Sequence, residues 1–167
     1  MSPHTGTAIA SSIVEPRTLK LGTRQWDHGE FAIMAVINRT PDSFFERDPG
    51  FGAALDSVSR AVTDGADIVD IGAESTKPGS ARISTAEEMR RLIPVLKRLK
   101  DRLGVPISVD TYKAEVAERA LELGAEIIND PSGLTIEPLL ARAVSNHDAG
   151  LILNHMRGRP ETWARIS

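Results

Sequence analysis

GADIVD at residues 65–70 and GAEIIN at residues 124–129 are two copies of one pattern, and AGLILN at residues 149–154 is a looser third copy. In each copy a small residue precedes a short aliphatic run that ends in a polar side chain. Glycine commonly ends a helix, and a short aliphatic run is typical of a buried parallel strand. The repeat therefore predicts stacked helix-to-strand units of one kind.

Strand-like and helix-like segments alternate along most of the chain. The clearest amphipathic segment begins with a capping box at Ser84 and Glu87 and ends before Gly104. The predicted strands cover residues 31–37, 67–72, 105–109, 126–128 and 150–153, and the predicted helices cover residues 52–64, 84–103, 112–123 and 136–147. This order predicts an α/β fold with a parallel sheet, and the repeat favours a barrel-like layout over a doubly wound one.

The N-terminal region precedes this alternation. Residues 1–17 are rich in Ser, Thr and Pro, and we expect a flexible arm there. Residues 18–22 and 25–30 are predicted to form a short strand pair. The globular domain is expected to cover residues 18–167.

Composition and charge exclude several classes of protein. The chain has 167 residues, no cysteine and a formal net charge of -3, with 20 Lys+Arg against 23 Asp+Glu. The lack of cysteine excludes a disulfide framework and favours a cytoplasmic location. The balanced charge predicts no nucleic-acid partner, and the longest apolar stretch, residues 31–37, is too short to span a membrane. The length is also well below the roughly 250 residues of a complete (β/α)₈ barrel.

Every predicted strand of the alternating region ends in hydrogen-bonding side chains. These are Asn38, Glu74 to Thr76, Asp110 with Thr111, Asn129 with Asp130, and Asn154 with His155. The carboxyl ends of parallel strands form the ligand-binding face of α/β folds, so we expect one pocket suited to a flat, nitrogen-rich ligand. Structural explanations stay open, because Asp110 could cap the next helix and Asn129 and Asp130 could shape a turn.

Two polar loops follow the first two strands of the alternation. They cover residues 39–45 and 75–80. The second places hydroxyl groups and Lys77 beside a glycine, a composition able to bind phosphate, although a plain turn is an equal alternative. The four histidines show no ligand spacing, so a histidine-bound metal is not expected.

Five motifs in order resemble the signatures of the dihydropteroate synthase family. They are MAVINRTPDSF at residues 34–44, GADIVDIGAESTKPG at residues 65–79, ISVDT at 107–111, IIND at 127–130 and HMRG at 155–158. The resemblance extends from residue 31 to about residue 163. It implies a pterin-binding (β/α) barrel, here a partial TIM-type barrel of about five parallel βα units preceded by a hairpin and an arm.

The resemblance also implies an activity and a set of site residues. Members of the family join 6-hydroxymethyl-7,8-dihydropterin pyrophosphate to p-aminobenzoate and release pyrophosphate in folate biosynthesis. By position, Asp110 and Asn129 would hydrogen-bond the pterin ring and Met156 would pack against it. Asn38 would help to hold Mg²⁺, and Thr76 and Lys77 would contact pyrophosphate and the aminobenzoate side.

The remaining residues that the resemblance implies belong to loops that close over the second substrate. They are Thr40, Pro41, Asp42, Ser43, Phe44 and Pro78. Among all these residues Asn38, Thr76, Asp110 and Asn129 are the expected catalytic set. Such a reaction needs stabilisation of the leaving pyrophosphate and of developing positive charge on the pterin, and it requires no covalent nucleophile.

The length and the motifs together leave alternatives to an active synthase. The motifs end after the fifth strand, which predicts a C-terminally incomplete copy of the family. One alternative is an inactive pterin-binding homologue, and another is the pterin-binding module of a corrinoid-dependent methyltransferase. The loops at residues 40–43 and 75–78 argue against the methyltransferase, which has no aminobenzoate to receive. Expected partners are the small-molecule substrates and either a second copy of the chain or a complementing C-terminal fragment.

Overall fold

A computed structural model describes residues 18–27, 31–38, 49–74 and 81–155. Seven strands and four helices lie in these ranges. The strands are β1 (Leu19–Leu21), β2 (Arg24–Trp26), β3 (Met34–Asn38), β4 (Ile68–Gly72), β5 (Ile107–Asp110), β6 (Ile127–Asp130) and β7 (Gly150–Leu153), and the helices are α1 (Pro49–Thr63), α2 (Thr85–Leu99), α3 (Ala114–Glu122) and α4 (Leu140–Asn146). In these ranges no helix is long and apolar enough to cross a membrane.

The five strands β3 to β7 form one parallel sheet whose spatial order follows the chain. A helix separates each strand from the next. A doubly wound sheet reverses its strand order at a switch point, whereas the strands of a (β/α) barrel advance in one direction. The predicted partial barrel of five parallel βα units is therefore confirmed.

The outer face of the sheet carries the main apolar core. Strand residues that alternate along β4, β5 and β6 point outward and pack against the helices, as expected from the two-residue period of a strand. Buried members of this core include Val69, Ile71, Val109, Ile128, Leu92, Leu96, Val116 and Leu140. The helices pack against this face of the sheet and so help to fix the relative positions of the strands.

The inner face of the sheet is closed at the amino ends of the strands by the predicted hairpin. Strands β1 and β2 pair antiparallel, and Leu21 packs with Ile68 and Ile127 in a small separate apolar cluster. Gly150 opens β7 at this contact, where a Cβ atom would lie 2.9 Å from Leu21 Cδ2. The hairpin packs against the amino ends of these strands, and polar side chains lie toward their carboxyl ends.

The repeated helix-to-strand joins have the same backbone geometry. Gly65 and Gly124 both adopt positive φ, 100° and 96°. In the third, looser copy Asp148 takes a left-handed conformation two residues before the strand, with φ 49°. The repeat in the sequence therefore reflects a repeated helix C-terminus that needs positive φ.

Helix boundaries differ most from the predicted ones at the end of α2 and at the start of α4. The capping box begins α2 as expected, with Ser84 Oγ accepting a hydrogen bond from Glu87 N at 3.2 Å, but the helix ends at Leu99 and not at residue 103. Lys100 has an extended ψ of 129°, which stops helical hydrogen bonding. Helix α4 begins at Leu140 and not at residue 136, and the predicted arm at residues 1–17 lies outside the described residues.

Candidate functional site

Polar side chains share the inner face of the sheet near its carboxyl edge. The parallel register places Asp70 beside Ser108, and Gly72 lies between Asn38 on one neighbouring strand and Asp110 on the other. Asp110 is in turn the partner of Asn129 on β6. Because residues two apart on a strand face the same side, these positions form two adjacent layers on one face.

Asn129 lies at the centre of a short hydrogen-bond chain. Its amide Nδ2 donates to Asp70 Oδ2 at 3.0 Å, and its Oδ1 accepts from Asn154 Nδ2 at 3.2 Å. Asn129 is only 8% exposed, so its amide is held by these neighbours in one orientation. The structure thus brings together a carboxyl group from the middle of β4 and two amides, one on β6 and one just after β7.

Asp110 is a half-buried carboxyl group beside this chain. Among the described residues it makes no hydrogen bond, and the first N–H groups of α3 are bonded by Thr111 Oγ1 and Glu137 Oε2, so the helix-capping explanation does not apply to Asp110. Burial raises the pKa of Asp110 from 3.8 to about 7, and the nearby charges of Asp70 and Glu88 raise it further toward that value. Asp110 can therefore gain or lose a proton near neutral pH, which is characteristic of functional carboxyl groups.

Asp130 shapes a turn, in contrast to the residue before it. Its Oδ1 accepts from Ser132 N at 2.7 Å and its Oδ2 accepts from Leu134 N at 2.6 Å. The turn contains two positive φ angles, at Gly133 and Leu134. The turn explanation that the sequence left open holds for Asp130, whereas the Asn129 side chain bonds to other strands.

A buried lysine joins the two described ends of the connection between β4 and α2. Lys113 Nζ donates to Glu74 Oε2 at 2.6 Å, to the Ile83 carbonyl oxygen at 2.9 Å and to Glu88. Burial alone would lower the pKa of Lys113, but the hydrogen bonds to the two glutamates raise it above its usual value. Tyr112 adds a hydrogen bond from its hydroxyl to Glu74 Oε1 at 2.8 Å. Lys113 therefore compensates the negative charges of Glu74 and Glu88 within the protein.

Several predicted site residues lie outside the part of the chain that the structure describes. They are Thr40, Pro41, Asp42, Ser43, Phe44, Thr76, Lys77, Pro78 and Met156. For Asn38 the backbone position at the end of β3 is described, and it lies next to Gly72. Within the described ranges there is no group of three or more His, Asp or Glu side chains placed to hold a metal ion.

Sequence reasoning missed Asp70, Ser108 and Lys113 as members of this region. Asp70 and Ser108 lie inside strands, not at their ends, so a search for polar strand ends passes over them. Their signal is the two-residue period: each lies two positions before a residue of the upper layer, Gly72 or Asp110. Lys113 has no comparable signal in the sequence, because its glutamate partners are 39 and 25 residues away.

Strand order and site geometry define an α/β barrel-type protein with its pocket at the carboxyl ends of parallel strands. The chain matches the family model described as Pterin binding enzyme over residues 34–167. The chain belongs to this family of pterin binding enzymes.

Relatives of known identity agree with this assignment. The dihydropteroate synthase of Synechocystis is 39% identical over 155 residues, which is 91% of this chain and 54% of that protein. A solved dihydropteroate synthase of Yersinia pestis, in a sulfonamide drug complex, has a TM-score of 0.78 and 35% identity and matches 90% of this chain and 55% of its own. The Burkholderia cenocepacia enzyme complexed with 7,8-dihydropteroate has a TM-score of 0.74 and 37% identity, with 88% and 49% covered. The chain therefore spans about half the length of the relatives it matches.

Proposed function

We propose that the chain carries the pterin-binding part of a dihydropteroate synthase-type transferase of folate biosynthesis. The proposed reaction joins 6-hydroxymethyl-7,8-dihydropterin pyrophosphate to p-aminobenzoate and gives 7,8-dihydropteroate and pyrophosphate. The observation that carries the proposal is Asp110, a buried carboxyl group without a hydrogen bond among the described residues. Asp110 lies beside the oriented amide of Asn129 on the inner face of the sheet, in a chain that belongs to the family of pterin binding enzymes.

The pocket suits the edge of a pterin ring. Such a ring offers N–H donors next to ring-nitrogen and carbonyl acceptors, and a carboxylate beside an amide can answer both kinds of group. Asp110 in its ionised form would accept from a ring N–H, and the Asn129 amide would supply a donor and an acceptor. A ligand N–H would also compensate a charge that no group among the described residues neutralises, so binding and ionisation of Asp110 favour each other.

Charge compensation separates Asp110 from the other acidic groups nearby. Lys113 compensates Glu74 and Glu88, and Asp130 is satisfied by backbone N–H groups. Asp110 has neither kind of partner among the described residues. Its partner is therefore proposed to be the ligand.

The pyrophosphate end of the substrate is assigned through the resemblance of the motifs. We propose Thr76 and Lys77 as its contacts and Asn38 as a ligand of Mg²⁺. Magnesium typically takes one or two protein oxygens and completes its shell with phosphate oxygens and water. The amide oxygen of Asn38 fits this donor chemistry, and a cluster of several carboxylates is not needed. The ion, when bound, would stabilise negative charge on the leaving pyrophosphate.

The transfer itself breaks the bond between the pterin methylene carbon and the pyrophosphate oxygen and forms a bond from that carbon to the aminobenzoate nitrogen, which loses a proton. No protein nucleophile takes part. The proposed roles of the protein are to hold the two substrates in line and to stabilise charge. Residues Thr40, Pro41, Asp42, Ser43, Phe44 and Pro78 are proposed to close over p-aminobenzoate, and Met156 is proposed to pack on the pterin.

Partners and location complete the proposal. Val36 on edge strand β3 and Leu153 on edge strand β7 are 54% and 50% exposed among the described residues. These apolar side chains support contact with further strands, either from a second copy of the chain or from a complementing segment. The cysteine-free composition supports a cytoplasmic location.

Binding of 6-hydroxymethylpterin to the full chain tests the proposal. Isothermal titration calorimetry of the wild type is expected to give saturable binding, and Asp110→Asn is expected to weaken it at least about tenfold at pH 8, because a neutral amide replaces the proposed carboxylate acceptor. Asp148→Asn is the matched control, since Asp148 has a 95% exposed side chain on the helix-to-strand join before β7. Equal affinities of all three proteins would contradict the assignment of Asp110.

The reaction is tested by incubating the same proteins with both substrates and Mg²⁺ and measuring 7,8-dihydropteroate. Product that depends on Asp110 supports the transferase. Binding of a methylated tetrahydropterin with no affinity for the pyrophosphate substrate would favour the methyltransferase alternative.

A further inference from the structure

Asp70 is a deeply buried carboxyl group of the inner face. It lies in the middle of β4 and is 1% exposed. Its Oδ2 accepts the hydrogen bond from Asn129 Nδ2, while its Oδ1 and the neighbouring Ser108 Oγ have no hydrogen-bond partner among the described residues. A buried carboxyl group is costly to keep, and its retention in an otherwise apolar strand calls for a specific task.

We propose that Asp70 is a positioning residue, which fixes the side-chain amide of Asn129 in the one orientation that the pterin pocket uses. The inference rests on the proposed function for the identity of the ligand. The hydrogen bond by which Asp70 orients Asn129 lies within the protein and can be tested without a ligand. No motif of the sequence analysis assigned a role to Asp70.

Asn129 has more hydrogen-bonding capacity than its two protein partners use. Its amide has two N–H donors and an oxygen with two lone pairs. Asp70 Oδ2 takes one donor, and the Asn154 amide takes one lone pair. One donor and one acceptor therefore stay available to a ligand, and both have defined positions.

Without Asp70 the same amide has no preferred orientation. A rotation of 180° about its terminal bond exchanges nitrogen and oxygen, and a neighbouring amide such as Asn154 can pair with either face. Only a group that exclusively accepts hydrogen bonds, as a carboxylate does, discriminates between the two orientations. Asp70 favours one of the two orientations, and it lies one layer nearer the amino ends of the strands than Asp110 and Asn129.

The charge of Asp70 has a second effect, on Asp110. Burial is the main cause of the raised pKa of Asp110, and Asp70 is the largest charged contribution, followed by Glu88, Glu74 and Asp130. All four groups act in the same direction. Burial also raises the pKa of Asp70, and the nearby Ser108 hydroxyl and the hydrogen bond from Asn129 oppose this. Removing the Asp70 charge should therefore lower the pH at which Asp110 ionises.

Two substitutions of Asp70 separate its hydrogen bond from its charge. Asp70→Asn removes the charge and keeps an oxygen that can accept from Asn129, whereas Asp70→Ala removes both. Asp67→Ala is the matched control, because Asp67 precedes the same strand at its opposite end and accepts from Ile33 N at 3.0 Å. All three proteins are compared with the wild type as full chains.

The first measurement needs no ligand. In the wild type, NMR should show a side-chain amide proton of Asn129 that exchanges slowly with solvent, because it donates to the buried carboxyl group of Asp70. Asp70→Ala should bring fast exchange, and Asp67→Ala should not. In a titration followed by the ¹³C signal of the Asp110 carboxyl, Asp70→Asn should lower the midpoint by about half a pH unit or more.

The second measurement is the affinity for 6-hydroxymethylpterin between pH 5.5 and 8. Asp70→Ala should weaken binding about tenfold across the range, while Asp70→Asn, whose amide can pair with either orientation of Asn129, should lose part of the affinity and shift the pH profile to lower pH. Thermal unfolding identifies variants that fail to fold. Asp70→Asn keeps the inference testable if Asp70→Ala does not fold.

The results distinguish a failure of the positioning role of Asp70 from a failure of the proposed function. If the Asn129 signals and the Asp110 midpoint are the same in the Asp70 variants as in Asp67→Ala, the positioning role is wrong. If those signals change as expected but the wild type binds no pterin, the positioning role stands and the proposed function fails. An affinity loss in Asp70→Ala with unchanged Asn129 signals would also overturn the positioning role, since the effect would then not act through that amide.

Discussion

Replacement of Asp110 by asparagine should stabilise the fold at alkaline pH. The substitution keeps the size of the side chain and removes its ability to ionise. In the folded chain the pKa of Asp110 is raised to about 7, against 3.8 for an exposed aspartate, chiefly by burial. Ionising this group in the folded protein is therefore harder than ionising it in the unfolded chain.

The sign and size of the effect follow from proton linkage. The folded state binds the Asp110 proton more tightly than the unfolded state, so the stability associated with this proton is complete below pH 4 and is lost as the pH rises to about 7. At about 1.4 kcal/mol per pKa unit the full difference corresponds to about 4 kcal/mol. Asp110 keeps some contact with solvent, which reduces the expected gain of Asp110→Asn at pH 8 to about 2 kcal/mol.

The assay is urea unfolding of both proteins at pH 5 and pH 8, followed by circular dichroism. The free energy of unfolding of Asp110→Asn should exceed that of the wild type by about 2 kcal/mol at pH 8 and by clearly less at pH 5. Asp148→Asn, a change at an exposed site, should show no such difference. A gain that is equal at both pH values, or a loss of stability at pH 8, would refute the reasoning. The variant that is more stable should also be the one that binds pterin less tightly.

Three further substitutions test the packing around the site by urea unfolding. Lys113→Met leaves two buried glutamates without their cation and should cost about 3–5 kcal/mol, whereas Lys113→Arg should cost less. Ser84→Ala removes the hydrogen bond to Glu87 N and should cost about 1 kcal/mol, and Ser84→Asp should restore most of it. Gly150→Ala places a Cβ atom 2.9 Å from Leu21 Cδ2 and should cost about 1–3 kcal/mol, and a cost near zero would mean that the hairpin shifts freely.

The sequence predicts the order of strands and helices well because each unit carries its own local signals. Gly65 and Gly124 mark helix ends through their positive φ, and Ser84 marks a helix start through its hydrogen bond to Glu87 N. The end of α2 was misplaced by one turn, since the apolar spacing continues to Leu103 although the backbone leaves the helix at Lys100. Periodicity reports which side chains are buried and does not by itself report the backbone conformation.

The candidate site is predicted only at the positions where polar residues end a strand. Asp110 and Asn129 belong to this group. A search for polar strand ends does not identify Asp70, because this residue lies within an apolar strand. Its partner Asn129 is 59 residues further along the chain. A contact of this range depends on the register of three neighbouring strands, which the sequence pattern leaves undetermined.

Strand alternation also explains how one short segment can serve both binding and stability. Asn129 and Asp130 are adjacent and both polar, yet a strand turns their side chains to opposite faces. Asn129 bonds to Asp70 and Asn154 across the inner face, whereas Asp130 bonds to the backbone of the turn that follows it. Substitution of Asp130 should therefore lower stability through the turn, and substitution of Asn129 should lower ligand affinity with a smaller effect on stability. The same division applies on β4, where Asp70 faces the pocket and Ile71 faces the helices. Polar residues that alternate with buried aliphatic ones are thus the pattern by which this sheet keeps its core while it places carboxyl groups on the face proposed to bind the ligand.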